Sequence, residues 1–191
     1  MTAGALRIVS GKPADLPQGY VEQLGRYRQQ VFIERLGWPL ESREGCELDR
    51  FDRTDTVYVT VEDAQSHIAG CARLLPTTQP YLLADVFPQL LQGASPPRDE
   101  RIWELSRFAC MDFSQPVTTP LAQFSSSSTA LLLRGAIECA ARHGAQRLIT
   151  VSPLGIERLV RRLRVRASQA AAPLAIDGQM MFACWIEVEV S

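Results

Sequence analysis

Hydrophobic residues recur at helical spacing near the N-terminus and alternate with polar residues further along the chain. The first pattern predicts a helix from about Gly19 to Glu34. Its predicted core-facing residues are Tyr20, Leu24, Tyr27 and Val31. The alternation in TVYVTVE, which is rich in β-branched residues, predicts a strand at Thr56–Glu62. A polar turn and a second apolar run extend this strand into a predicted hairpin.

The remaining pattern predicts further strands and helices up to the C-terminus. In chain order these are a strand at His67–Leu75, a short broken helix at Pro80–Gln92, a strand at Trp103–Met111, a helix from Ser128 to about His143, a strand at Arg147–Ser152, a helix opened by Pro153, and one or two final strands. This order predicts an α+β fold, a mixed and mainly antiparallel sheet flanked by helices. With 191 residues and no repeat, we expect a single domain over residues 1–191.

Charged residues interrupt two of the predicted apolar strands. Arg73 lies in the second strand of the hairpin, and Glu104 and Arg107 lie in RIWELSRFACMD. Charged side chains are seldom placed in such strands unless they are paired or take part in chemistry, and both interpretations stay open. In a regular strand, Glu104 and Arg107 would point to opposite faces because they are three residues apart. Either a β-bulge redirects one of them, or Arg107 is structural on the far face.

More charged and aromatic residues lie upstream. Arg28 and Phe32 share a face of the first helix, and Trp38 follows in a loop. Asp49 and Asp52 lie in the acidic stretch between Leu40 and Thr54. Arg28, Phe32 and Trp38 together predict a pocket for a charged ligand, and the alternative is a Trp that only packs. Asp49 and Asp52 are either a carboxylate pair at the edge of a site or part of a solvated acidic turn.

Composition excludes several functional classes. The formal net charge of −1 gives no global indication of nucleic-acid binding. No apolar run approaches the ~20 residues of a membrane span, and the N-terminus does not resemble a signal peptide, so we expect a cytoplasmic protein. The five cysteines are scattered and predict buried free thiols rather than a metal site or disulfides. Neither histidine lies near a nucleophile motif, which argues against a Ser-His-Asp mechanism.

Four ordered segments resemble the acyl-homoserine lactone synthase family, the LuxI-type autoinducer synthases of bacterial quorum sensing. They are RYRQQVFIERLGWPL, ELDRFDRTD, GCARLLPTTQPYLL and WELSRFA. The resemblance implies an N-acetyltransferase-like fold with a V-shaped cleft in the sheet. It also implies acyl transfer from an acyl-acyl-carrier-protein to the amine of S-adenosylmethionine, followed by lactone closure that releases methylthioadenosine. S-adenosylmethionine is then a substrate, and no separate cofactor is expected.

The resemblance also implies roles for individual residues. Glu104 is expected to be the general base, with Arg73 and Arg107 as further catalytic residues that balance nearby carboxylates. The residues expected to bind S-adenosylmethionine are Arg28, Phe32, Trp38, Asp49 and Asp52. Thr150 and Ser106 are expected in the acyl pocket. The segments LLPTTQPYLL and ITVSPLGIERL most resemble the octanoyl branch, which favours an unsubstituted chain of about eight carbons.

A stripe of arginines follows the strand at Arg147–Ser152. Arg158, Arg161 and Arg162 are predicted to dock the acidic acyl carrier protein, and a solvated helix face is the alternative. A rival function on the same fold is a coenzyme-A-dependent N-acetyltransferase, but the nearest match to its pyrophosphate loop lies inside a predicted strand. A nucleic-acid or membrane module is disfavoured because no aromatic residues are interleaved with these arginines.

Overall fold

The protein consists of eight strands and three α-helices in the computed structural model, which describes residues 6–111, 113, 127–153, 160 and 162–189. The strands are β1 (Arg7–Gly11), β2 (Val57–Glu62), β3 (Ile68–Pro76), β4 (Ile102–Cys110), β5 (Arg147–Pro153), β6 (Ala167–Gln169), β7 (Leu174–Ile176) and β8 (Gln179–Glu187). The helices are α1 (Tyr20–Arg28), α2 (Leu82–Asp85) and α3 (Ser127–Arg142), with a π-helical segment at Gln29–Arg35 and 3-10 turns at Pro13–Asp15 and Pro88–Leu91.

The strands form one mixed sheet. Their hydrogen-bonded order is β1-β2-β3-β4-β5-β8-β6, with β7 paired to β8. β1 runs antiparallel to β2, and β8 runs antiparallel to β5, β6 and β7, whereas β4 and β5 are parallel. The predicted α+β class with a mainly antiparallel sheet is therefore confirmed.

The parallel pair β4 and β5 is joined over only part of its length. The register begins at Ile102 opposite Arg147 and ends at Leu105 opposite Thr150. Both strands continue past this point, β4 to Cys110 and β5 to Pro153. The ladder between β4 and β5 therefore covers only four residue pairs.

The chain divides into two compact units that alternate along the sequence. The first contains residues Met1–Arg73 and Arg107–Leu132, and the second contains Leu74–Ser106 and Leu133–Ser191. Three elements, β3, β4 and α3, pass from one unit into the other. Whether the chain behaves as one domain stays a prediction.

The first unit has its core beneath α1. All four residues predicted to face inward are buried there, and they pack with residues of β2, β3 and β4. The predicted hairpin turn is also present: the Asp63 carboxylate accepts hydrogen bonds from the backbone N–H of Gln65 and His67, each at 2.8 Å. This side chain therefore fixes the direction of the chain between β2 and β3.

The second unit combines most of α3 with β5 and β8. Leu132, at the unit boundary, is buried together with Ile137 and Ala140, as predicted, while Leu131 is half-buried. β5 pairs with β8 over seven residues, from Arg147 opposite Glu187 to Pro153 opposite Met181. Long pairing of this kind leaves β5 supported on both sides by hydrogen-bonded neighbours.

Four features differ from the predictions. β1 was not predicted; it is a short strand held to β2 by its ladder and by Arg7, whose Nε donates to Glu62 at 2.8 Å. The C-terminal part holds three strands rather than one or two. β5 includes Pro153, and the helix predicted to begin there lies mostly outside the described residues. The first helix becomes a π-helix after Arg28.

Candidate active site

The first unit contains a network of ion pairs between three arginines and three carboxylates. Its members are Arg28, Arg73, Arg107, Glu47, Asp49 and Asp52. The arginines come from α1, β3 and β4, whereas all three acids lie in the loop before β2. Equal numbers of opposite charges allow such a network to be buried without a net charge.

Arg28 is 1 % exposed and lies at the end of α1. Its Nε donates to Glu47 at 2.7 Å, and its two terminal nitrogens donate to the two oxygens of Asp52 at 2.7 and 3.1 Å. The expectation that Arg28 binds S-adenosylmethionine stays a prediction. The guanidinium is buried and engaged by two protein carboxylates, so its contacts are those of a structural ion pair.

Asp52 is the most highly connected acid. Besides Arg28, it accepts hydrogen bonds from Arg73 at 3.1 Å, from the backbone N–H of Asp49 at 2.7 Å and from the Tyr58 hydroxyl at 3.0 Å. Asp49 accepts from Arg73 at 2.6 Å and from Arg107 at 2.9 Å. The structure therefore brings together five of the eight residues predicted to catalyse the reaction or to bind S-adenosylmethionine, namely Arg28, Asp49, Asp52, Arg73 and Arg107.

Arg107 resolves the question of strand direction raised by the sequence. It has a φ angle of 51°, in the left-handed region, although it lies inside β4. Such a residue breaks the alternation of side chains, as a β-bulge does. Its guanidinium contacts Glu47, with the terminal nitrogen 2.9 Å from the carboxylate, as well as Asp49. The distorted strand thus directs Arg107 into the network.

The arginines keep the buried acids ionised. Burial by itself would raise the pKa of Asp52, but the charges of Arg28 and Arg73 outweigh it and hold that pKa far below its ordinary range. The pKa of Glu47 is likewise lowered, because hydrogen bonds and charge from Arg28 and Arg107 exceed the effect of burial. Burial, together with the charge of Asp52, raises the pKa of the Tyr58 phenol, which therefore remains a donor.

Two aromatic rings lie beside this network. Phe32 is buried in the π-helical segment, and Trp38 stacks on it with ring centroids 4.9 Å apart. The Arg107 guanidinium carbon lies 5.6 Å from the Phe32 ring centre. Phe32 is therefore already in contact with Trp38 and Arg107, whereas Trp38 is half-buried. Of the two predicted aromatic contacts for the substrate, Trp38 is the more accessible.

The π-helical turn helps to place this aromatic pair. The backbone N–H of Leu36 donates to the carbonyl of Val31, five residues earlier, at 3.0 Å. The N–H of Trp38 donates to the carbonyl of Phe32 at 2.9 Å. This wide turn carries the chain back so that Trp38 lies over Phe32. π-Helical turns occur frequently at functional sites.

Glu104 belongs to the second unit and is fully buried in β4. Its two carboxylate oxygens accept hydrogen bonds from the backbone N–H of Leu82 at 3.0 Å and of Leu83 at 2.6 Å. These are the first two residues of α2. Glu104 therefore caps this short helix, a structural role that the sequence did not indicate.

The predicted acyl-pocket residues are both buried in the second unit. Ser106 lies in β4, and Thr150 lies in β5 opposite Leu105. The Thr150 hydroxyl is 3.4 Å from that of Ser152. Of the predicted docking arginines, Arg162 is exposed, while Arg158 and Arg161 lie outside the described residues.

Glu47, a member of the network, and Tyr58, which donates a hydrogen bond to Asp52, were not predicted as site residues from the sequence. Glu47 is 1 % exposed and accepts hydrogen bonds from both Arg28 and Arg107. A signal was available, because Glu47 precedes Asp49 by two residues and so points to the same side of an extended chain. Tyr58 carried no such signal, since an aromatic residue in a strand is ordinarily a core residue.

Over the described residues, no group of three or more His, Cys, Asp or Glu side chains has the arrangement of a metal site. The described helices also include none that is long and apolar enough to span a membrane.

The sequence profile of the family described as "Autoinducer synthase" matches residues 15–190. The chain belongs to the autoinducer synthase family. It is similar to an acyl-homoserine-lactone synthase of Acinetobacter nosocomialis, with 49 % identity over 183 residues, covering 96 % of this chain and 100 % of that protein. The protein is accordingly an acyltransferase of the acyl-homoserine-lactone synthase type.

Two solved structures that share more than 25 % of their sequence with this chain have the same fold. TofI, crystallised in a ternary complex with an inhibitor and MTA, superposes with a TM-score of 0.82 and 46 % identity, covering 96 % of this chain and 92 % of TofI. MesI, a CoA-dependent acyl-homoserine lactone synthase, gives a TM-score of 0.79 and 26 % identity over 96 % of this chain and 89 % of MesI.

A Lactobacillus plantarum protein assigned as an N-acetyltransferase shares only 16 % identity but gives a TM-score of 0.61, covering 97 % of this chain and 99 % of that protein. At this level of identity the likeness concerns the fold alone. It confirms the predicted N-acetyltransferase-like fold of this autoinducer synthase.

Proposed function

We propose that the protein transfers an acyl group from an acyl-acyl-carrier-protein to the amine of S-adenosylmethionine and then closes the product to an acyl-homoserine lactone. The observation that carries the proposal is the half-buried Trp38 ring, stacked on Phe32 beside the buried ion network. An aromatic face attracts a sulfonium cation by about 0.5–2 kcal/mol. In support, TofI was crystallised with MTA, the thioether that S-adenosylmethionine leaves behind.

The first step is amide formation. The substrate amine has a pKa near ~8, so it is largely protonated at neutral pH and must lose a proton before it attacks the thioester carbon. In the proposed mechanism Glu104 accepts that proton, directly or through water. A C–N bond forms and the C–S bond of the thioester breaks. The nitrogen loses a second proton as the amide forms, and the departing carrier thiolate takes up that proton.

The second step is lactone closure. A carboxylate oxygen of the methionine part attacks its own γ-carbon, and the bond from that carbon to the sulfonium sulfur breaks. The electron pair goes to sulfur, which leaves as the neutral thioether methylthioadenosine. Charge is cancelled in this step, because a carboxylate and a sulfonium become an ester and a thioether. No external oxidant, metal or cofactor is needed for this balance.

Glu104 is suited to orient a proton transfer because its carboxylate is held in place. The N–H groups of Leu82 and Leu83 each donate to a different oxygen. The two backbone contacts therefore fix the orientation of the carboxylate.

The proposal also specifies the acyl donor as an acyl carrier protein. MesI is CoA-dependent, so a thioester of coenzyme A is the alternative to the carrier protein. Arg162, Arg164 and Arg166 are exposed after β5, although Arg166 is paired with Glu189. A surface with several arginines favours an extended acidic protein, since docking one uses charges spread over a wide area.

Purified protein incubated with S-adenosylmethionine and either octanoyl-acyl-carrier-protein or octanoyl-CoA tests the proposal. We expect methylthioadenosine and octanoyl-homoserine lactone to appear together, with a higher kcat/KM for the carrier protein. A matched control replaces S-adenosylmethionine by methionine, which lacks the sulfonium leaving group. Absence of methylthioadenosine with both donors would contradict the proposal. A higher kcat/KM for octanoyl-CoA would show that coenzyme A, and not the carrier protein, carries the acyl group.

The acyl chain itself is proposed to be unsubstituted and about eight carbons long, on the resemblance of two sequence segments to the octanoyl branch. A series of acyl-carrier-protein thioesters from four to twelve carbons, with and without a 3-oxo group, tests this preference. We expect the highest kcat/KM for the octanoyl thioester. A maximum of kcat/KM at another chain length, or for a 3-oxo chain, would contradict the proposed octanoyl preference.

A further inference from the structure

The left-handed conformation of Arg107 needs an explanation of its own. Among the residues of β4, all of which the structure describes, Arg107 is the only one with a positive φ angle, 51°. A side chain other than glycine is disfavoured in this region, and such conformations persist only where the surroundings enforce them. Contacts must therefore hold this residue on both its side chain and its main chain.

The side chain of Arg107 is held by Glu47 and Asp49, as described above. The main chain is held by Cys71 in β3, whose Sγ donates a hydrogen bond to the Arg107 carbonyl at 3.2 Å. Cys71 is 1 % exposed. Burial raises the pKa of its thiol to about 12, so the sulfur keeps its proton, and hence its donor, throughout the neutral range.

We propose that Cys71 is a positioning residue for Arg107: its S–H group fixes the carbonyl of the left-handed residue and thereby directs the guanidinium to Glu47 and Asp49. The inference rests on the proposed function in so far as Arg107 belongs to the active site. Without this hydrogen bond, the peptide group after Arg107 is free to turn toward ordinary strand geometry. Successive side chains of a regular strand alternate between faces, so that change redirects the Arg107 side chain.

If Arg107 is misplaced, the ion network loses one of its three positive charges and keeps all three of its carboxylates. Glu47 then keeps Arg28 as its ion-pair partner, and Asp49 keeps Arg73. We expect these remaining pairs to keep the network assembled, although it then carries an excess negative charge. The expected result is therefore a folded enzyme with impaired turnover, which separates a positioning role from a purely structural one.

The test compares Cys71→Ala, which removes the donor, with Cys71→Ser, which keeps one. Cys139→Ala is the matched control, because Cys139 is also a buried free cysteine but lies in α3. We expect Cys71→Ala to lower kcat about five-fold, corresponding to ~1 kcal/mol at 1.36 kcal/mol per factor of ten, with a smaller change in KM for S-adenosylmethionine. Cys71→Ser should recover most of the loss, and Cys139→Ala should leave kcat within about two-fold of the wild type.

A second measurement does not depend on activity. The S–H stretching band of Cys71, isolated as the infrared difference between wild type and Cys71→Ala, should lie at the lower frequency of a hydrogen-bonded thiol. A band at the frequency of a free thiol, unchanged kcat in Cys71→Ala, or a Cys71→Ser variant as slow as Cys71→Ala would each overturn the inference. If the wild type releases no methylthioadenosine at all, the proposed function fails, whereas the infrared band still tests the hydrogen bond.

Discussion

Arg28 and Trp38 were both predicted to contact the substrate, yet their surroundings differ. Arg28 is buried and donates to two protein carboxylates, whereas Trp38 is half-buried and stacks on Phe32. A side chain whose hydrogen-bonding groups are already paired inside the protein contributes to stability. An accessible aromatic ring, in contrast, is available to a ligand. Substitutions at these two positions should therefore have different consequences.

Replacing Trp38 by Ala should raise the KM for S-adenosylmethionine and leave the KM for the acyl carrier almost unchanged. The lost attraction of an aromatic face for a sulfonium is worth about 0.5–2 kcal/mol, or roughly two- to thirty-fold in affinity. Trp38→Phe, which keeps an aromatic face, is the control and should lose less. Calorimetric titration with S-adenosylmethionine measures the change, and equal affinity in all three proteins would remove Trp38 from the binding site.

Replacing Arg28 by Ala should destabilise the protein instead of selectively weakening substrate binding. Glu47 and Asp52 would lose a buried partner, and breaking a buried ion pair typically costs 3–5 kcal/mol. Urea denaturation should show a lower midpoint than the wild type and Trp38→Ala. A variant of wild-type stability that failed only to bind S-adenosylmethionine would show that Arg28 acts in substrate binding rather than in stability.

Glu104→Gln should abolish turnover, by roughly 10²–10⁴ in kcat, because the amide cannot accept the proton. It should also reduce stability by about 1–3 kcal/mol, since an amide nitrogen cannot accept the N–H of Leu82 or Leu83. This loss of stability is expected because the carboxylate also caps α2.

Leu82→Pro separates these two effects. It removes one N–H donor to Glu104 but keeps the carboxylate, and proline is tolerated at the first position of a helix. The preceding residue, Tyr81, has the extended conformation that proline requires (φ −144°, ψ 161°). We expect stability to fall while most of the turnover remains. Loss of turnover as complete as in Glu104→Gln would assign Glu104 a capping role only.

At the scale of elements, the loop before β2 delivers all three acids of the network. The pKa values of Glu47 and Asp52 lie below their ordinary values of 4.5 and 3.8. A lowered folded-state pKa means that these groups stabilise the protein above those ordinary values and lose that contribution as the pH falls below them. The loop should therefore be the acid-sensitive part of the first unit.

Urea midpoints measured between pH 7 and pH 3 should be constant down to about pH 5 and then decrease steeply. Asp99→Asn is the control, because Asp99 is paired with Arg101 at an exposed position and its removal should leave the steep decrease in place. Asp52→Asn should flatten the decrease, since one of the responsible carboxylates is gone. A midpoint that stays constant to pH 3 would contradict the role of the network in stability.

The sequence predicts regular elements better than the details that position the site. The strands at Thr56–Glu62 and Trp103–Met111 were recognised because alternation and β-branched residues depend on neighbours in the chain. The left-handed φ of Arg107 and the π-helical turn at Gln29–Arg35 depend on tertiary contacts with Glu47, Asp49 and Trp38, which no local pattern records. The same reason explains why Glu104 was recognised as unusual but its contact with α2 was not.

At the scale of the whole molecule, the arginines that follow β5 in the sequence are the predicted docking site for the acyl carrier protein. Reversing two charges, Arg158→Glu with Arg162→Glu, should raise the KM for the acyl carrier protein and leave that for S-adenosylmethionine unchanged. In the wild type, added salt should weaken carrier binding, because exposed charges are screened over ~10 Å at 0.1 M. Arg26→Glu, an exposed reversal in the first unit, is the control. If the double reversal changes neither the KM nor its salt dependence, docking occurs elsewhere.

The alternation of the two units along the chain sets the order in which the ion network can be completed during synthesis. Glu47, Asp49 and Asp52 leave the ribosome after Arg28 and before Arg73, and Arg107 follows only after the whole first segment of the second unit has been made. Until then the nascent chain holds the three carboxylates of the network but only two of its three arginines. Arg107 thus supplies the charge that neutralises the cluster. The ion network of the first unit cannot be complete before Arg107 has been synthesised.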